Sequence, residues 1–438
     1  MLVFKNVFLS FIFSVCLMYS LQAQHEMTLP ALMWVPQASY TDITVRNNEY
    51  KTSISMPVLG SLQLNYFNSA FNYNRLVQNN TIDPNSVIPK LKKYNQLYSG
   101  GSIDLFALRI QKKNYTIQVS LRDIWTQRFV YTKDLANLIW NGNAAFAGSS
   151  ANLNNVRFAA NYYRELGIGV TKKVNDKFSV GLRGKLLMGI ANVTTQQSKS
   201  MLYTDPNGLA INGHSDVTVL TAGVVNSNQV KTSDLLGLNN LGTALDIGAR
   251  YNFSDKISVA GNLNNIGFIH WKKDVQNYRV NGDYNYTGIA MKDSANIVNA
   301  NWKNIGDSLG GVFKPKKDTK AYNSWLTPSL YLNGTYLIKK DLNVYVAVAM
   351  DFYHSLRGAF TMGATQTIGK TLQATVNYTI TPNSYFNIGA GIAVRGGPIQ
   401  MYLASDNIVA VFDPYVVKYF NVRLGMNLIF GKVDKKTN

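Results

Sequence analysis

From residue 102 to residue 430 the chain repeatedly alternates apolar and polar positions with a period of two, the mark of strands with one apolar face. The clearest stretch is the last. Residues 421–430 set Val422, Leu424, Met426, Leu428 and Phe430 on one side and Asn421, Arg423, Gly425 and Asn427 on the other, with Ile429 the single exception. That length crosses a bilayer as a tilted strand of about 9–11 residues. Residues 156–172 and 177–194 form a hairpin around Asn175-Asp176-Lys177. In it Leu166, Ile168, Val170, Phe178, Val180, Leu182, Leu186, Met188 and Ile190 face outward, and Ser179, Arg183 and Lys185 inward. Residues 244–253 and 256–266 repeat the motif, and strands at 326–338, 342–353, 358–368, 371–381, 385–395 and 399–404 follow through short turns. A weaker strand at 409–417 precedes the closing one at 419–430. Upstream lie a first strand at 52–66, interrupted by Pro57 and Gly60, a hairpin of 102–112 with 115–124, and strands at 216–225 and 275–287.

Other stretches break the alternation. Residues 67–100 form a polar connection with a short helix near 89–98. Leu135, Leu138 and Ile139 have helical spacing, as do Val298, Trp302, Ile305 and Leu309, which precede Lys314, Lys316, Lys317 and Lys320. The pattern predicts an all-β fold: a transmembrane antiparallel β-barrel of about 14 strands (up to 16), the even number being the bacterial habit. Short periplasmic turns, long external loops and an N-terminal arm or plug complete it. The predicted divisions are a signal peptide at 1–24, the arm or plug at 25–51, the barrel at 52–431 and a basic tail at 432–438.

Composition sharpens this reading. Charged residues are 15% of the chain, below the roughly 25% of soluble domains, while 12% are aromatic, with 26 Tyr and 20 Phe. A soluble β-sandwich also alternates, but its strands are shorter and its outer face carries more charge. Lys5, the apolar run 7–20 and Leu21-Gln22-Ala23-Gln24 read as an export signal. The one cysteine, Cys16, falls inside it, so neither disulfides nor thiolate metal sites are available to the mature chain. Net charge is +19. In an exported protein that excess points away from nucleic acid and toward outer-membrane lipid and lipopolysaccharide phosphates, acidic glycans or anionic solutes.

Candidate chemistry is sparse. His354-Ser355 beside Asp351 is the one hydrolase-like arrangement, but adjacent strand residues face opposite sides. His25, His214 and His270 have no metal-ligand spacing. Asp205-Pro206-Asn207-Gly208 lacks the later calcium ligands and reads as a turn. Gly389-Ala390-Gly391 has no following helix to cradle phosphate. Thus no catalytic residue, cofactor or metal is assigned. The lumen says more: by strand parity Arg122, Arg157, Arg183, Lys185, Arg250, Arg395 and Arg423 point inward with Asp104, Glu165, Asp246 and Asp351. Two readings stand, an anion-favouring channel and an interior sealed by Arg–carboxylate pairs.

Several short pieces together resemble a Bacteroidetes-type outer-membrane protein family catalogued as a domain of unknown function. They are Lys133-Asp134-Leu135 with Trp140-Asn141-Gly142-Asn143, Tyr163-Arg164-Glu165, Gly181-Leu182-Arg183-Gly184-Lys185, Asn265-Ile266-Gly267-Phe268, Ser405-Asp406-Asn407 and 421–431. That family is similar in architecture to the long-chain fatty acid transporter superfamily, which implies a fourteen-stranded barrel plugged by an amino-terminal segment. The chain departs from the Asn-Pro-Ala motif of such families, with Tyr40-Thr41-Asp42 in its place, and no functional residue is transferred. The expected activity is passive passage of a small or hydrophobic solute, without enzymatic chemistry. The alternatives are a structural or accessory role in an outer-membrane secretion or surface-assembly complex, and a barrel lipase using Ser355.

Overall fold

Among the described residues, twenty strands join a single sheet that curls round until its first stave meets its last. The computed structural model describes residues 26–432, apart from 48, 72–76, 79–80, 208–209, 228–229, 232–233, 287–314, 354, 383 and 414–415. In chain order, β1 (Tyr50–Ser55) and β2 (Leu62–Asn68) form one interrupted stave, followed by a small clip of β3 (Val77–Gln78) and β4 (Thr81–Ile82). The tall staves come next: β5 (Tyr94–Gln111) and β6 (Tyr115–Thr132), then α1 (Lys133–Asn141) and β7 (Ser150–Asn152), then β8 (Arg157–Lys173) and β9 (Phe178–Thr204). After them come β10 (Ile211–Gly223), β11 (Asn240–Asn252), β12 (Ile257–Trp271), β13 (Gln276–Tyr286), β14 (Lys316–Asp318) and β15 (Tyr322–Trp325). The regular part is β16 (Ser329–Lys339), β17 (Leu342–Tyr353), β18 (Ser355–Ile368), β19 (Leu372–Thr381), β20 (Ser384–Gly396), β21 (Ile399–Ser405), a single helical turn α2 (Val409–Phe412) and β22 (Tyr419–Lys432).

The closed circuit has fourteen antiparallel staves: β1/β2, β5, β6, β8, β9, β11, β12 and β16 to β22. Closure removes every sheet edge within the wall, which lipid would leave without hydrogen-bond partners. Ile168, Val170, Leu182, Ile247, Phe253, Val376 and Met401 stay exposed on the outer face, where lipid replaces water as their neighbour. No described helix is long and apolar enough to cross a membrane. Turns such as 112–114, 174–177, 253–256 and 369–371 share one rim with both ends of the barrel sequence, and most long connections share the other.

Where the alternation breaks, the structure differs from the sequence reading. β9 continues to Thr204, and its far half pairs with β10, which pairs with β13, so a branch sheet leaves the barrel at the long-loop rim. Ile190 is buried rather than outward, because Tyr162 opposes Ala191 and Tyr163 opposes Gly189, leaving Ile190 as an extra residue. Residues 94–98 begin β5 instead of ending a helix; the helical piece there is one 3-10 turn at Ile88–Lys90. The strand expected at 409–417 is replaced by α2. The helix expected near 135–139 is α1, whose Thr132 Oγ1 caps Leu135 N at 3.0 Å. The predicted signal segment, the 298–309 stripe, His354 and the tail from 433 lie outside the described residues.

Pro57 and Gly60 interrupt the first stave as their sequence implies. Between Ser55 and Leu62, six residues stand against two on β22, so Val58 and Leu59 are pushed outward and are exposed. The detour keeps its hydrogen bonds, with Val58 N donating to Asp104 O at 3.0 Å and Met426 N to Leu59 O at 2.9 Å.

Candidate functional site

Residues 26–47 lie inside the barrel as a plug, with two 3-10 turns at Leu29–Ala31 and Pro36–Tyr40. Pro30 and Pro36 sit at or next to their first positions, where a missing N–H costs nothing. Most of the segment is buried, with Met27, Leu29, Leu32, Val35, Ala38 and Ile43 at 3% exposure or less. A coil in that position must satisfy its backbone from the wall. Asp406 accepts from Met27 N and from Thr28 N at 2.7 Å. Gln373 Oε1 accepts from Trp34 N, and Gln400 Nε2 donates to Trp34 O. Further along, Asn264 Nδ2 donates to Thr41 O, Asn262 Oδ1 accepts from Ile43 N and Gln111 Nε2 donates to Asn47 O. Inward amides and hydroxyls of the wall thus act as a substitute sheet for a segment with none of its own. Glycines admit it closely: a Cβ on Gly181 would stand 2.5 Å from Ile43 Cγ2.

Above the plug the wall carries a buried ionic cluster. Arg122 Nη2 lies 2.6 Å from Glu165 Oε1, and Lys185 Nζ lies 2.7 Å from Asp246 Oδ1 and 3.5 Å from Glu165 Oε2. Arg183 joins it at 3.2 Å from Asp246 Oδ2 and donates to Ser39 O in the plug at 2.8 Å. The Arg122 guanidinium sits over the Tyr40 ring, 4.0 Å from its centroid, and Tyr40 OH donates to Asp104 Oδ2 at 2.8 Å. Two residues nearer the long-loop rim the lining becomes apolar: Tyr163, Leu187, Ala244, Ile269 and Trp271 pack together.

Of the inward charges read from parity, Arg122, Arg183, Lys185, Glu165 and Asp246 converge in this cluster, and Asp104 joins it through Tyr40. Three others each hold a plug carboxylate or its immediate continuation: Arg250 bonds Asp42, Arg423 Nε donates to Glu26 Oε1 at 2.7 Å, and Arg395 lies 3.5 Å from Glu49. Asp351 is buried elsewhere, on β17. Arg157 stands apart at the β8 end near the long loops, where it donates to Asn155 Oδ1 at 3.4 Å.

Sequence reasoning missed Glu26, Asp42, Asp406 and Arg109. The first two sit in a segment without periodicity, and Asp406 follows the end of β21. Asp406 is buried, takes three hydrogen bonds and has no ion-pair partner among the described residues; burial and then neighbouring Glu26 push its carboxyl up to about 6, against the hydrogen bonds from Thr28 and Tyr419. Arg109 has the wrong parity. A bulge at Leu105, where Asp104 opposes Arg122 but Phe106 opposes Leu121, turns every later residue of β5 to the other face.

No hydrolytic constellation assembles among the described residues. His214 Nδ1 lies 2.8 Å from Asp283, exposed on the branch sheet, but Ser215 points to the opposite face. No group of three metal-ligating side chains occurs among the described residues.

A family described as a family of unknown function, DUF5723, matches residues 46–406. No curated protein matches the chain in sequence. Among solved structures, the Ralstonia pickettii toluene transporter TbuX aligns with TM-score 0.43 and 9% identity over 92% of this chain and 94% of its own. The Pseudomonas putida toluene transporter TodX gives 0.43 and 7% over 90% and 94%, and a Pseudomonas aeruginosa FadL homologue 0.42 and 10% over 94% and 100%.

Proposed function

The chain belongs to the family of unknown function DUF5723, and we propose that this member is a plugged passage through the outer membrane for a small hydrophobic solute. One observation carries the reading: residues 26–47 fill a closed barrel while standing outside its sheet, and the described chain enters the wall after them, in β1 at Tyr50. A barrel needing only mechanical stability could fill its interior with side chains from its own staves, as small barrels do. Here the contacts between plug and wall include many hydrogen bonds and ion pairs, which water can replace when the segment shifts. The apolar layer of Leu187, Ile269 and Trp271 beyond the ionic cluster favours an apolar solute over a sugar or an ion.

Single-channel recording in planar bilayers tests this. The chain from residue 26 should conduct rarely, and the same chain lacking 26–47 should conduct steadily. Silence in both forms, with the barrel shown to be folded, would overturn the proposal. A second reading rests on the branch sheet of β9, β10 and β13, which projects beyond the barrel and presents Lys199, Arg279, Lys316 and Lys317. That surface suits an accessory of a secretion or surface-assembly complex. Cross-linking from Lys199 in intact cells separates the two, since a passage requires no stable partner.

A further inference from the structure

Tyr40, the last residue of the second plug turn, is held by side chains from separate staves. The Arg122 guanidinium of β6 lies 4.0 Å from the ring centroid, with Arg183 of β9 at 5.6 Å and Arg423 of β22 at 5.7 Å. The phenol OH donates to Asp104 Oδ2 of β5 at 2.8 Å. Each of these cations is already balanced: Arg122 by Glu165, Arg183 by Asp246 and Arg423 by Glu26. The cage therefore offers guanidinium groups to a ring while holding no surplus charge for an anion, and Asp104 would repel one.

The Asp104 carboxylate depends on the plug. It is fully buried and has no ion-pair partner among the described residues. Its side-chain donors there, Tyr40 OH and the Gln37 amide at 3.3 Å, both belong to the plug, and Oδ1 has none. When the turn withdraws, the wall is left with a buried acceptor that calls for a hydroxyl. Tyr40 itself is only part-buried, and inside a closed barrel its exposed part borders lumen space.

We propose that this cage is a binding site for a neutral phenol, a single aromatic ring carrying a hydroxyl, and that Tyr40 occupies it as a built-in surrogate. An arriving phenol stacks on Arg122, donates to Asp104 and frees the plug turn to withdraw. An aromatic hydrocarbon supplies the ring face but leaves Asp104 unpaired. An aliphatic alcohol supplies the hydroxyl but no π-face for the guanidinium groups. A site that hydrogen-bonds a hydroxyl rejects the analogue lacking it, because its own buried acceptor stays unpaired. The inference names a solute class for the passage and rests on that reading for transport, whereas exchange of Tyr40 for a free phenol is measurable without conduction.

Protein extracted from the outer membrane into detergent micelles tests it, with trypsin cleavage after Arg46 as the measure of plug release. The probe is p-cresol, the tyrosine side chain as a free molecule. At about ten times its dissociation constant from the vacated cage, the released population and the cleavage rate should rise about tenfold. Toluene and 4-methylcyclohexanol at the same concentration should leave the rate unchanged. In crystals of Tyr40→Ala soaked with 4-bromophenol, an anomalous bromine peak should stand beside Arg122 on the side of the former Tyr40 ring, with the hydroxyl at Asp104. Should this variant fail to fold, proteolysis of the unaltered protein decides alone. An unchanged rate in p-cresol, an equal rise with 4-methylcyclohexanol, or a folded variant with no bromine in the cage overturns the proposal. A barrel that is silent in bilayers yet responds to p-cresol alone would remove the passage and keep the site.

Discussion

The two halves of the barrel wall hold the same plug by different chemistry. From β5 to β11 the inward positions carry a concentration of charge in Arg109, Arg122, Glu165, Arg183, Lys185 and Asp246. From β18 to β20 they are mostly neutral: Thr361, Thr365, Gln373, Thr375, Asn377, Thr379 and Asn387. The neutral wall pairs its hydroxyls locally, as between Thr365 and Thr375 at 3.0 Å or Thr361 and Thr379 at 2.8 Å, and adds an apolar seat of Leu29, Leu32 and Val35 against Ala393, Tyr402 and Ala404. Unpartnered buried atoms concentrate on the charged side, at Asp104, Arg109, Thr116, Gln118 and Arg122. Stature differs too. β5, β6 and β8 run 18, 18 and 17 residues against 10 for β19, so the charged wall rises beyond what about 9–11 residues need to cross a bilayer. A neutral seat tolerates small errors, whereas a charged one demands complete pairing.

The largest effect should come from breaking that pairing. Glu165→Ala leaves Arg122 without its ion-pair partner and Lys185 with Asp246 alone, and should cost about 3–5 kcal/mol in urea unfolding of the barrel in lipid vesicles. Next is Asp406, the buried carboxylate of the neutral side. Its folded value of about 6 lies above the ordinary 3.8, so the docked state binds the proton more tightly. That stabilisation is fully present below about pH 4 and is lost as pH rises through about 6, a change of about 3 kcal/mol. Asp406→Asn should flatten the pH profile of plug protection from trypsin, scored at Arg46. A pH-independent profile in the unaltered chain would contradict this. Third, Gly181→Ala should push Ile43 aside at a cost of about 1–3 kcal/mol and speed cleavage of the plug, and Ile43→Ala in the same chain should restore protection. Smallest is Thr375→Val on the neutral wall, which removes the hydrogen bond to Ala364 O and the one accepted from Thr365 Oγ1, and should cost about 1–2 kcal/mol in the same unfolding assay.

Much of this contrast can be read along the chain. β17 to β22 appear in the sequence within three residues of their ends, because each stave is buried on one face only and the turns from β17 to β21 are short. Pro57 and Gly60 mark the interruption of the first stave, and parity alone turns Arg122, Arg183 and Asp246 inward. Two of the errors share one source. Each bulge adds a residue that alternation cannot register, so Arg109 and Ile190 change sides, and β9 runs on to Thr204 where polar residues hide its continuation.

Period-two alternation over membrane-crossing lengths by itself determined that the chain is a barrel of about fourteen staves with a polar interior, because every wall residue has one of two sides to face. What lies in that interior only the tertiary structure decided. Residues 26–47 have no periodicity, and their structure comes from amides and charges contributed by staves hundreds of residues away, as between Met27 and Asp406 or Asp42 and Asn333. The same holds for Arg109: its charge is plain in the sequence, but its turn into the lumen and its hydrogen bond to Val45 O exist only once the bulge in β5 and the plug meet.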